Sequence, residues 1–238
     1  LSNIEPVVII GGFLSAPGDY NSWRTALAGP PYRRRSYVAE ISRVEWSATR
    51  DQSFRPQLKA LATAVARARR ETGAEKVWLV CHSAGGRIAR LWMGDQPYGD
   101  QRCGGHPYVR GVIFLGSPYT TAEPWARRSS AFANEHYPGA FYPDIKYVSV
   151  IGKAVLGRRN GSLAERLAYR AYSTLDPQHP DRWGDGVITM ASAQVPGAEN
   201  IVLNGIHHVG ILGRPGYGAP SALKVWASSL ATETVASA

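Results

Sequence analysis

The chain has 238 residues, 44% of them apolar, and 27 Lys and Arg against 18 Asp and Glu give it a formal charge of +9. That length fits one α/β domain with a sizeable core, and no run approaches the ~18–20 apolar residues of a membrane span. The positive excess could draw the chain to an anionic lipid surface or to nucleic acid. The arginines are scattered rather than gathered in one stripe, however, and there is neither zinc-finger spacing nor an RNA-binding aromatic signature. A solvated basic face is therefore expected, with no nucleic-acid partner and at most peripheral contact with an anionic membrane. The start, Leu1-Ser2-Asn3-Ile4-Glu5, lacks the basic-then-apolar pattern of a signal peptide, so a soluble chain is expected.

In chain order, Val7-Val8-Ile9-Ile10 is a continuous β-branched run closed by Gly11-Gly12, the pattern of a buried parallel strand. Tyr37–Val44 reads as a second strand. Leu58, Leu61, Ala62, Val65 and Ala68 recur at helical spacing over Gln57–Glu71, and Gly73 follows as a stop signal. The apolar run Val77–Val80 reads as the next strand, Gly85–Met93 as a helix, and Gly94–Pro107 as a loop. Val109–Leu115, Tyr147–Ile151 and Ile201–Leu203 read as further strands, and Ser221–Leu230 as a terminal helix. Alternating strands and helices imply an α/β fold with a mostly parallel sheet flanked by helices. Two stretches, 119–144 and 152–200, are too long for connectors and are read as inserts above the sheet of a single domain spanning 1–238. Within the second, Glu165–Tyr172 looks helical.

Cys81 and Cys103 are the two cysteines. The first ends a strand and the second leads into the amino end of the next. In a parallel sheet those positions lie on opposite edges, farther apart than the ~4.4–6.8 Å that a disulfide spans, so two free thiols are expected.

The chemistry centres on Cys81-His82-Ser83-Ala84-Gly85-Gly86. A strand that ends in x-x-Ser-x-Gly and turns at once into a helix is the context of a nucleophile elbow. A serine hydroxyl needs a base to take its proton, and that base needs an acid to fix its tautomer. Asp185 lies in Trp183-Gly184-Asp185-Gly186-Val187, a glycine-flanked loop that lets a carboxylate project. His207 and His208 follow a strand, where an open α/β sheet gathers its functional groups. Asp144, Asp176 and Asp181 compete with Asp185 for the acid role; Asp144 enters a strand from the wrong end, and Asp181, close in sequence, is the serious rival. His82 is read as packing beside the serine or as a support behind the groups that would react. No metal-ligand spacing surrounds the His pair, so neither metal nor other cofactor is expected. Two backbone N–H groups should bind a developing oxyanion: that of Ala84, after the serine, and that of Phe13, in the loop Gly11-Gly12-Phe13-Leu14. The aromatic residues of the first insert, among them Tyr119, Trp125 and Phe141, could wall a substrate pocket together with Leu14 and His82, or could be the insert's own core.

These motifs, with Leu115-Gly116-Ser117-Pro118, Tyr137-Pro138-Gly139-Ala140-Phe141 and Gly205-Ile206-His207-His208, cover most of the chain. Together they resemble the α/β-hydrolases of the lipase and esterase type, and among those the small hydrolase-like proteins of cyanobacteria and plant plastids. The resemblance implies a cytoplasmic or plastid-like compartment and a serine hydrolase of carboxylic esters, lipid-like or otherwise hydrophobic. It implies Ser83 as nucleophile, His208 rather than His207 as base, and Asp185 as acid. An acyltransferase on the same three residues, or a lipid-binding protein without turnover, are the alternatives. Two departures from the family pattern stand out: Gly11-Gly12 where His-Gly or Pro-Gly is usual, and Cys81 in place of the elbow's first glycine.

Overall fold

The structure, a computed structural model, describes residues 5–49, 52–211 and 213–230. Strand β1 (Val7–Ile10), helix α1 (Asn21–Ala28), β2 (Ser36–Val38), α2 (Arg43–Ser47) and α3 (Arg55–Thr72) lead into β3 (Val77–His82), α4 (Gly85–Met93) and β4 (Val109–Leu115). They are followed by α5 (Pro124–His136), β5 (Lys146–Lys153), β6 (Val155–Leu156), α6 (Leu163–Leu175), β7 (Trp183–Gly184), α7 (Met190–Ala193), β8 (Glu199–Asn204) and α8 (Pro220–Ser228). Six strands pair in parallel in the order β2-β1-β3-β4-β5-β8, while β6 and β7 form a small antiparallel pair.

Side-chain alternation divides the core into two layers. Val8, Ile10, Leu79, Cys81, Val112 and Phe114 point to one face, where Leu58, Leu61 and Val65 of α3 and Ile88 of α4 cover them. Val7, Ile9, Trp78, Val80, Ile113 and Leu115 point to the other, covered by Trp23 and Leu27 of α1 and by Leu223 and Trp226 of α8. Right-handed crossovers account for this division. The chain moves one way from β1 to β2 and the opposite way from β2 through β5, so α1 and α3 fall on opposite faces. The reversal places a topological switch between β1 and β3, where the loops leaving their carboxyl ends diverge and open a crevice.

The sequence reading needs one correction among the strands. Strand β2 covers Ser36–Val38 and does not extend to Val44. Ser42 caps α2, accepting from the Glu45 N–H, while the Glu45 carboxylate accepts from the Ser42 N–H at 2.7 Å. This reciprocal Ser-x-x-Glu box starts a helix inside a segment whose apolar residues suggested a strand.

The stretch 119–144 carries α5, packed on α4. The buried Arg90 holds it there, donating to Asn134 Oδ1 at 2.7 Å and to the carbonyls of Ala133 at 2.9 Å and Tyr137 at 2.8 Å. The stretch 152–200 carries β6, α6, β7 and α7, with Tyr172 of α6 wholly buried against the small pair and bonded to the Val155 carbonyl at 3.1 Å. Cys81 and Cys103 are both free thiols, as expected.

Candidate active site

Ser83 occupies the turn between β3 and α4 with φ of +53°. A non-glycine residue there carries strain on the order of 1–3 kcal/mol and persists only where its surroundings over-determine it. Here the Ser83 N–H donates to the Leu115 carbonyl at 3.0 Å, and the Ser83 carbonyl accepts from the Gly86 N–H at 3.1 Å. Close approach dictates the neighbouring glycines. A Cβ on Gly85 would stand 2.4 Å from the Ile10 carbonyl oxygen, one on Gly86 2.6 Å from Ser117 Cβ, and one on Gly12 2.6 Å from Ser83 Cβ. The serine thus sits at the switch point, pressed against the loop after β1 and at the positive end of α4.

Asp185 and His208 come together in a second arrangement. His208 Nδ1 lies 2.7 Å from Asp185 Oδ2, and the His208 N–H donates to the Asp185 carbonyl at 2.9 Å. Asp185 is 2% exposed, and its carboxylate is fully coordinated. Oδ1 accepts the N–H groups of Ile188 at 2.7 Å and Val187 at 2.9 Å, and Oδ2 also accepts from the Tyr217 hydroxyl at 2.9 Å. Burial pushes the Asp185 pKa up, but the charge and hydrogen bond of His208 and the two backbone amides outweigh it and hold the carboxyl below its ordinary value. An ionised carboxylate can only accept, so Nδ1 of His208 donates to it, and in the neutral ring the lone pair then falls on Nε2. Asp181, the rival acid, is exposed. Asp144 is engaged elsewhere, by Lys76 and His106.

Ser83 and His208 line one cavity of about 540 Å³, together with Gly12, Phe13, Leu14, Tyr20, Trp23, His82, Val209 and Tyr217. Among the described residues no hydrogen bond joins Ser83 Oγ to His208. The N–H groups of Phe13 and Ala84 likewise donate to no protein acceptor among the described residues. Leu14 and His82 lie in the cavity wall, whereas Tyr119, Trp125 and Phe141 do not. Tyr119 and Trp125 pack against the α3–α4 core layer, Trp125 touching the site indirectly by stacking on Phe13 at 4.6 Å. Phe141 is 43% exposed and packs on Tyr137 and Tyr142. Tyr20, Trp23 and Tyr217 are site residues that sequence reasoning missed, and no local pattern distinguishes them. Among the described residues, no group of three or more His, Cys, Asp or Glu gathers to hold a metal ion, and no helix is long and apolar enough to cross a membrane.

No protein-family model matches the sequence, and no curated protein is significantly similar to it. Solved structures do match. The mature form of the Bacillus licheniformis lipase BlEst2 is 16% identical with a TM-score of 0.58, covering 87% of this chain and 86% of that one. The propeptide form of the same lipase is 15% identical with a TM-score of 0.61, covering 100% of this chain and 52% of that one. The product of the Listeria innocua gene lin2722 is 13% identical with a TM-score of 0.56, covering 93% and 91%. Nothing in these matches supports the cyanobacterial or plastid kinship suggested by the motifs. At such identities the likeness is one of architecture: the chain has the α/β-hydrolase fold of these lipases.

Proposed function

We propose that the chain is a serine hydrolase that cleaves carboxylic esters through an acyl-enzyme. The observation that carries this reading is Ser83, strained at the β3–α4 turn, in one cavity with an Asp185-paired His208. Ser83 Oγ attacks the acyl carbonyl as His208 Nε2 takes its proton. The carbonyl oxygen becomes an oxyanion, received by the unpaired Phe13 and Ala84 N–H groups. Collapse expels the alcohol, to which His208 returns the proton, and leaves the acyl group on Ser83. Water, deprotonated by the same Nε2, then releases the carboxylic acid and restores the serine. Asp185 stays ionised throughout and stabilises the imidazolium. The apolar wall, with Phe13, Leu14, Trp23 and Val209, suits hydrophobic ester groups, which fits the lipases of similar fold.

The test is hydrolysis of p-nitrophenyl esters graded by acyl length, alongside labelling with a fluorophosphonate. Wild type is expected to turn over and to be labelled, and Ser83→Ala to do neither. Turnover that survives in Ser83→Ala removes the proposed nucleophile.

A further inference from the structure

His82 joins the two halves of the cavity, and the donors and acceptors around it permit one reading. Its Nε2 lies 3.0 Å from the backbone carbonyl of His208. A carbonyl can only accept, so Nε2 carries the proton and Nδ1 is bare. Nδ1 lies 3.0 Å from the Tyr20 hydroxyl, which therefore donates to it. The same hydroxyl accepts the Gly12 N–H at 3.0 Å. The result is a directed chain: Gly12 N–H to Tyr20, Tyr20 O–H to His82, His82 Nε2–H to the His208 carbonyl. Its members come from the loop after β1, the start of α1, the end of β3 and the loop after β8. The His82 ring is 6% exposed, within 4.8 Å of the His208 ring and 5.7 Å of Trp23. It is also covalently next to Ser83.

On the reading of Ser83, His208 and Asp185 given above, we infer that His82 and Tyr20 are positioning residues, fixing the His208 loop and the Phe13 turn at a set distance from the nucleophile. Asp185 orients the His208 ring, whereas His82 fixes its backbone. Tyr20 occupies the Gly12 N–H, which leaves Phe13 and Ala84 as the donors that face a substrate. A neutral His82 is required for this chain, and burial followed by the charge of His208 holds its pKa down at about 3.

Two variants separate the two ends of the ring. Gln at position 82 puts an N–H where Nε2 stands and keeps the bond to His208. Asn puts an oxygen where Nδ1 stands and keeps the bond to Tyr20. In full-chain protein, kcat and KM for a p-nitrophenyl ester are measured beside thermal midpoints, and long-range ¹H–¹⁵N NMR reads the His82 tautomer. Since ångström-scale misplacement of a reacting group costs on the order of 100-fold, His82→Asn is expected to lower kcat roughly 30- to 100-fold with KM little changed. His82→Gln is expected to recover to within about tenfold of wild type, at a matched midpoint. The NMR spectrum should show an Nε2–H ring that does not titrate between about pH 4 and 9. Equal losses in both variants, losses that track the midpoints, or an Nδ1–H ring would overturn the positioning role. If wild type cleaves no ester while His82 shows the Nε2–H tautomer, the reading of Ser83 has failed and the positioning role falls with it. If wild type cleaves esters and the variants behave alike, the positioning role alone is wrong.

Discussion

Replacing Asp185 with Asn changes one oxygen to an NH₂ and leaves the shape intact, so its effect can be worked from four contacts. If the amide nitrogen takes the place of Oδ1, it faces the N–H groups of Ile188 and Val187, which lie 2.7 and 2.9 Å from that site. Three donors then point at one another in a buried place, at about 1–3 kcal/mol for each group left unsatisfied. If it takes the place of Oδ2, it faces His208 Nδ1 and the Tyr217 hydroxyl. There His208 can adapt by moving its proton to Nε2, so this orientation wins. The histidine is then locked in the tautomer that cannot take a proton from Ser83. A wrong tautomer at intact geometry lowers kcat by about 10⁴-fold in serine hydrolases, and that loss is expected here. The assay is kcat for a short p-nitrophenyl ester together with the rate of fluorophosphonate labelling, with urea unfolding to show that the variant is folded. Asp181→Asn serves as the comparison. Because Asp181 is exposed, activity should stay within about twofold. Near-normal turnover in folded Asp185→Asn, or loss confined to Asp181→Asn, would refute the assignment of the acid.

Stability should fall with acid in a window set by His82. Its folded pKa is depressed to about 3, against about 6.5 unfolded, so the unfolded chain binds the extra proton as pH drops below about 6.5. Stability is lost at up to about 1.4 kcal/mol per pH unit until the folded value is reached. Urea midpoints measured from pH 7 to pH 4 should show a slope that His82→Gln flattens, and equal slopes would show that the ring is not buried neutral. The charges that face this ring are His208 and Asp185. The Asp185 pKa is also depressed, so its contribution is complete above about pH 4 and is lost only below that. Gly12→Ala should abolish labelling while leaving most of the fold, because the added methyl meets Ser83 Cβ at 2.6 Å. Gly85→Ala should instead lower the thermal midpoint, its methyl meeting the Ile10 carbonyl at 2.4 Å, an overpacking of about 1–3 kcal/mol. Tyr217→Phe leaves the Gly152 N–H without its 2.9 Å partner and removes one donor from Asp185. It should cost about 1–3 kcal/mol by urea titration and lower kcat less than Asp185→Asn does.

The parts of the candidate site that carry a local signature were legible. Glycines around Ser83 and Asp185 marked backbone that had to turn or come close, and strand–turn–helix order marked the strained turn where the proposed nucleophile stands. Parallel strands showed as unbroken β-branched runs because both of their faces are buried. Tyr20 and Tyr217 left no such trace. Their hydroxyls act across 62 and 32 residues of sequence, from loops whose paths depend on how α1 and α8 pack under the sheet. The aromatic residues at 119–144 pointed the other way. They carried a strong composition signal, yet Tyr119 and Trp125 are used mainly in packing α5 onto the core. Composition reports that apolar surface will be buried, not what will bury it. The segment after Val38 failed for a related reason: a four-residue capping box outweighed the strand preference of its apolar residues.

Cys81 in place of the elbow's first glycine is explained by the alternation of β3. Leu79 and Cys81 point into the layer beneath α3 and α4, while Trp78 and Val80 point to the opposite face. His82 continues the second series, which is why it meets Trp23 and Tyr217 and lies under the His208 loop. A side chain at position 81 therefore points away from the cavity, into a core where the thiol is wholly buried and burial pushes its pKa up. The steric demand of the turn falls on other positions. It falls on Gly85 and Gly86, where α4 presses on β1 and on Ser117, and on Gly12, where the facing loop meets the serine. A glycine at 81 would open space in the core without relaxing any of those contacts. These close approaches shape the turn, and the strand's own parity places His82 where it meets both the Tyr20 hydroxyl and the His208 carbonyl.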